Sequence, residues 1–221
     1  MQLALFDLDH TLLPIDSDYE WGQFLVRIGA VDAQTFAREN ERFFRQYQDG
    51  SLDIHAYAAF AFDPLVRNDA ATLAGWHARF MDEVIRPQIR PAARALVARH
   101  REAGALTALV TATNDFVTAP IAREFGIEHL IATRAEHDGR GYTGRIAGTP
   151  AFREGKVART DAWLAERGLG WDRFDASHFY SDSANDIPLM ERVSSPVATN
   201  PDARLRAHAQ ARGWPVIELF A

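Results

Sequence analysis

Short apolar runs recur along the chain at residues 3–6, 106–110, 130–132, 178–180, 196–198 and 215–219, each bounded by an acid, Gly or Pro. Their brevity and apolar character predict strands buried on both faces. Segments of helical length separate most of them, at 90–102, 116–125, 152–166, 186–192 and 201–211. Strand alternating with helix leaves few folds open, because parallel neighbours need a long crossover and the crossover helices then cover the sheet. The expectation is an α/β protein built on a Rossmann-like parallel sheet.

One stretch breaks the alternation. Between about residues 16 and 84 no strand pattern appears, and aromatic residues recur at helical spacing: Phe36, Phe43, Phe44, Tyr47, Phe60, Phe62, Trp76 and Phe80. This predicts an all-helical insertion at 16–85 whose aromatics form its own core. The α/β core would then comprise 1–15 and 86–221.

At 221 residues the chain has room for such a core with a smaller satellite. A composition of 47% apolar and 24% charged residues is that of a packed globular protein. The formal charge of −6 provides no basic face for a nucleic-acid backbone, which points to a small ligand. Arg86, Arg90, Arg94, Arg99 and Arg101 have the spacing of a solvated helix face. The absence of cysteine excludes disulfides and thiolate zinc sites. No eighteen apolar residues run together, and the first strand begins without a leader pattern, so cytoplasmic residence with no membrane span is expected. The oligomeric state is left open.

The first strand ends in Phe6-Asp7-Leu8-Asp9-His10-Thr11, with two carboxylates on one side of an extended chain. Alone, such a pair fits a turn cap beside a solvated acid equally well. At the carboxyl end of a strand in an open α/β sheet, however, it lies on the edge where these sheets bind ligands. One carboxylate can attack a phosphorus while its neighbour protonates the leaving alkoxide. Attack on an anionic phosphomonoester needs charge compensation, which Mg²⁺ held by carboxylates can supply. A further acid comes from Tyr180-Ser181-Asp182-Ser183-Ala184-Asn185-Asp186, where Asp182 follows another strand. Thr111 ends the strand before it with a hydroxyl able to bind a phosphate oxygen, and Lys156 stands at a helix start.

In this order the motifs resemble the haloacid dehalogenase superfamily. The resemblance implies that Asp7 is the nucleophile and Asp9 the general acid/base. It also implies that Asp7, Asp9 (through its backbone carbonyl) and Asp182 hold Mg²⁺, that Asn185 and Asp186 support the last motif, and that Thr111 and Lys156 bind the phosphoryl group. The helical insertion and Tyr142-Thr143-Gly144-Arg145-Ile146 resemble the phosphoserine phosphatase branch, where such an insertion caps the site. The expected activity is Mg²⁺-dependent hydrolysis of a small phosphomonoester, such as phosphoserine or histidinol phosphate. Alternatives are a non-catalytic protein of the same fold, a dehalogenase, or a phosphatase of lipid head groups.

The chain departs from that branch in three places. Asp16 stands where a Glu nine residues after the nucleophile binds the substrate ammonium, and is therefore the candidate substrate-binding acid. Ala112-Thr113 replaces a glycine pair, and only Arg42 and Arg45 are candidates for the arginine that holds the substrate carboxylate. Gly139-Arg140-Gly141-Tyr142-Thr143-Gly144 satisfies a dinucleotide fingerprint but lacks the strand-turn-helix setting, so a hairpin turn is expected. Gly155-Lys156 lacks the remaining glycine and hydroxyl of a P-loop, and the histidines show no zinc-binding pair.

Overall fold

The computed structural model describes residues 1–49 and 51–220, and of 47–49 the backbone alone. Strand β1 (Gln2–Phe6) leads into helices α1 (Ser17–Arg27), α2 (Ala33–Asp49), α3 (Ile54–Arg67) and α4 (Ala70–Phe80). A π-helical turn at Met81–Ile85 and the short α5 (Arg86–Gln88) return the chain to the sheet. There follow α6 (Pro91–Glu102), β2 (Leu106–Asn114), α7 (Asp115–Glu124), β3 (His129–Thr133), β4 (Ala135–His137) and β5 (Tyr142–Ile146). The remainder is α8 (Glu154–Ala165), β6 (Ala176–Ser181), α9 (Ile187–Met190), β7 (Ser195–Thr199), α10 (Ala203–Arg212) and β8 (Val216–Ile217).

The main sheet is six-stranded in the order β3-β2-β1-β6-β7-β8, and every pairing in it is parallel. Its first strand is therefore central, paired at Phe6 with both Leu109 and Tyr180. Alternation along β1 feeds two cores: Ala4 and Phe6 join one face with Leu109 and Val117, while Leu3 and Leu5 join the other with Val110 and Phe179. All four side chains are fully buried. The glycine-rich segment forms the turn of the antiparallel hairpin β4–β5, as its sequence predicts.

The helical insertion is covered partly by its own core. Ala58, Phe62, Leu65 and Leu73 cluster with Ala135 of the hairpin, and Phe36, Phe43 and Phe60 pack ring against ring. Phe80 instead enters the main core. Phe44, expected inside, is 53% exposed, because it lies about 100° around α2 from the stripe made by Phe36 and Phe43. The side chain of Tyr47 lies outside the described residues.

Candidate active site

The carboxyl edge of the central strands brings the sequence-predicted acids together. β1 ends at Phe6, and Asp7 follows with its N–H donated to the carbonyl of Tyr180 (2.9 Å), so the β1–β6 ladder fixes its position. Beyond Asp9 the chain turns back sharply, Leu12 donating to Leu8 (2.8 Å). The turn requires a left-handed His10, φ 56°, an uncommon conformation for a residue with a side chain. Asn200, after β7, donates to the carbonyls of His10 and Thr11 and braces it (3.0 and 3.3 Å).

Asp7 is 6% and Lys156 4% exposed, and Lys156 Nζ donates to Asp7 Oδ1 (2.8 Å) and to Asp186 Oδ2 (2.7 Å). Burial opposes the ammonium charge, but Asp186 and Asp7 outweigh it and hold the lysine pKa above its ordinary value. An ammonium has three donors, so one remains for a ligand. α8 starts at Glu154, after Arg153 at a positive φ of 51°, and so carries the lysine in its first turn. Asp186 also accepts from Ser181 Oγ (2.6 Å).

Thr11 Oγ1 lies 3.2 Å from both Asp7 Oδ2 and Asp182 Oδ1. A hydroxyl has a single proton, so it serves one carboxylate at a time. Burial, with the negative charges of Asp7 and Asp186, pushes Asp182 up to about 9. These two converging carboxylates form a hard-oxygen set suited to a divalent cation such as Mg²⁺. Among the described residues no three acidic or imidazole side chains form a ready-made metal cluster. The reason is Asp9, whose carboxylate turns aside to accept from Ser17 N (2.7 Å) and Thr113 Oγ1 (2.9 Å). Asp7 and Asp182 thus fit the metal through their side chains, while any contribution of Asp9 falls to its backbone carbonyl. Burial and the charge of Asp16 raise the Asp9 pKa well above the usual carboxylate range.

Thr111 is buried beside these acids, and its Oγ1 accepts from Thr113 N (3.2 Å). β2 continues past Thr111 to Asn114, which places Thr113 where it anchors Asp9. Asn185 lies in a turn where its N–H donates to Ser183 Oγ (3.2 Å). Asp16 is exposed and serves as the N-cap of α1, its Oδ1 accepting from Asp18 N (3.0 Å) and Tyr19 N (2.9 Å). The amine-binding role expected of it therefore has only Oδ2 to act through. Arg42 and Arg45 are exposed on α2 and engaged with Glu39 and Glu41, and neither is drawn into the acid cluster.

Sequence reasoning passed over Thr113, Asn200 and the junction formed by Asp18. Asp18 accepts from Tyr57 of the insertion and from Asn114 Nδ2 (3.2 Å), which ties α3 to the end of β2. Burial and the charge of Asp16 push its pKa up to about 6. Thr113 left one signal, a second hydroxyl two residues after Thr111 on the same side of an extended strand. The Tyr57 contact left none, being made across 39 residues.

A parallel sheet thus carries on one edge paired aspartates after its first strand, a buried lysine from a later helix and a third acid after β6. The chain belongs to the haloacid dehalogenase-like hydrolase family, whose model matches residues 4–191, and it is a phosphatase of the phosphoserine phosphatase-like branch. It is 48% identical over 217 residues to a histidinol-phosphatase from Neisseria meningitidis serogroup C, covering 97% of each chain. It is 32% identical over 216 residues to a phosphoserine phosphatase from Mycobacterium tuberculosis, covering 96% of this chain and 69% of that one. Among solved structures, a protein of unknown function from Bordetella pertussis Tohama I superposes with TM-score 0.94 at 55% identity, covering 99% of both. No helix among the described residues is long and apolar enough to cross a membrane.

Proposed function

We propose that the protein hydrolyses histidinol phosphate, or a close amino-alcohol phosphate, through an aspartyl-phosphate intermediate with Mg²⁺ as cofactor. The observation that carries this reading is the buried Lys156 bridging Asp7 and Asp186, beside the converging pair Asp7 and Asp182. Asp7 attacks phosphorus and the ester P–O bond breaks. Asp9, whose raised pKa favours a bound proton, delivers that proton to the leaving alkoxide. Water then attacks the acyl phosphate, Asp9 takes its proton, and Asp7 is regenerated as inorganic phosphate leaves. Lys156 and Thr111 offer donors to the phosphoryl oxygens, and Asn185 and Asp186 support that end of the site. When bound by Asp7, Asp182 and the Asp9 carbonyl, Mg²⁺ supplies positive charge against the phosphoryl group.

The substrate choice rests on two supports. The relative named histidinol-phosphatase matches almost the whole chain, and both candidate carboxylate-binding arginines are engaged elsewhere on α2. A substrate with an amine but no carboxylate suits that arrangement. Phosphoserine is the second reading, supported by the relative of that name.

The test is phosphate release from histidinol phosphate and phosphoserine with Mg²⁺, in excess chelator, and with Asp7→Asn. Histidinol phosphate should be preferred, chelation should abolish turnover reversibly, and Asp7→Asn should lower kcat by several powers of ten with the fold intact. Near-native activity of Asp7→Asn would end the mechanism, and preference for phosphoserine would reverse the substrate assignment.

A further inference from the structure

A groove of about 1070 Å³ lies outside the acid site, between α4, the outer side of α7, edge strand β3 and the start of hairpin strand β5. None of its lining residues belongs to the cluster around Asp7. Its walls are unusually rich in arginine. Arg86 is neutralised by Asp82 and Glu124, and Glu124 is shared with Arg94. Arg123, Arg134 and Arg159 have no carboxylate partner of this kind among the described residues.

Arg159 is the most informative of the three. Its Nη1 donates to the carbonyl of Thr149 (3.1 Å), which fixes the direction of the guanidinium. Its Nε is buried and has no hydrogen-bond partner among the described residues, a costly state for a donor. Burial and the neighbouring charge of Arg134 lower the Arg159 pKa, so the two guanidinium groups repel each other. Asp115 and Glu166 offset part of that repulsion, and Asp115, the groove-lining carboxylate that is in no ion pair among the described residues, accepts from Ala135 N (2.9 Å). His77 adds no charge, since burial lowers its pKa and its Nε2 meets the carbonyl of Val117 (3.1 Å). Arg123, Arg134 and Arg159 therefore give the groove an excess of positive charge over its one lining acid outside an ion pair, Asp115. Guanidinium forks match phosphoryl oxygens in pairs.

We infer that this groove is a second binding site, distinct from the acid cluster, for a small anion bearing two or more phosphoryl groups held by Arg134 and Arg159 with Arg123 at the rim. The inference is independent of the substrate proposed for the Asp7 site.

The probe is inorganic pyrophosphate, titrated calorimetrically into the full chain in Mg²⁺-free buffer with chelator, so that turnover plays no part. Wild type should bind it saturably, and Arg134→Gln with Arg159→Gln should weaken that binding at least tenfold at an unchanged melting temperature. Arg123→Gln alone, at an exposed position, should weaken it about threefold, and it decides the matter if the double variant does not fold. Affinity unchanged in the variants would overturn the inference by placing the pyrophosphate elsewhere, at Lys156 for example. Binding without saturation, or equally displaced by chloride at matched ionic strength, would overturn it as general charge screening.

Discussion

Asp16 and Asp18 stand two residues apart at the start of α1 and do different work. Asp16 is an exposed cap, so Asp16→Ala is expected to cost about 1 kcal/mol of stability. It should lower kcat/KM alike for histidinol phosphate and an uncharged aryl phosphate. A loss at least fivefold greater on histidinol phosphate would assign the free Oδ2 to the substrate amine. Asp18 is a partly buried carboxyl whose folded pKa is raised to about 6. A raised carboxyl pKa means the folded state binds its proton more tightly than the unfolded chain. The penalty is therefore full above pH 6 and is relieved as the pH falls toward the ordinary value of 3.8. Asp18→Asn, which keeps an acceptor and gains a donor, should raise the melting temperature at pH 8 and leave it nearly unchanged at pH 4. Melting curves at the two pH values check this, and an equal effect at both would refute it. The sequence shows both acids, but only packing distinguishes them, because the burial of Asp18 depends on Tyr57 arriving from α3.

At the scale of elements, α8 has the least freedom in how it begins. A Cβ on Gly155 would come within 2.0 Å of the carbonyl oxygen of Pro150, a backbone atom that cannot swing aside. Gly155→Ala should therefore shift the first turn of α8 and move Lys156 away from Asp7 and Asp186. The expected result is a stability loss of about 1–3 kcal/mol with a fall in kcat larger than the change in KM. Unaltered kinetics in a folded variant would show that the turn yields without displacing the lysine. The strands are the most legible elements, since β1, β3, β6 and β7 each contain a short apolar run and bury most of their residues. β2 runs on past its apolar run to Asn114, because Thr113 and Asn114, which look like residues beyond a strand end, remain extended to reach Asp9 and Asp18. The order of Asp7, Thr111, Lys156 and Asp182 was legible for the same reason, each lying where an apolar run stops or a helix begins. Asn200 and Thr113 were not, since their partners are set by tertiary approach.

For the molecule as a whole, acid sensitivity should be visible through His100. This histidine of α6 is buried against Tyr180, whose hydroxyl lies 2.8 Å from its Nε2, and burial with His178 and Arg99 lowers its pKa to about 4. A lowered histidine pKa means the unfolded chain binds the proton first. Stability is thus lost as the pH falls from about 6.5 to about 4, by on the order of 3 kcal/mol from this group. His100→Phe should flatten the melting temperature over that window relative to wild type, even if it lowers the plateau. A variant falling as steeply as wild type would exonerate His100. The central place of β1 has a consequence for synthesis. Its partners β2 and β6 begin about 100 and 170 residues later. At cellular translation rates the interval to β6 is roughly 10–30 s. Throughout it, an apolar strand followed by two acids has one neighbour at most, and Asp7 meets Asp182 only once β6 has left the ribosome. The acid cluster is assembled only then, and β1 is the segment that most needs shelter while it waits.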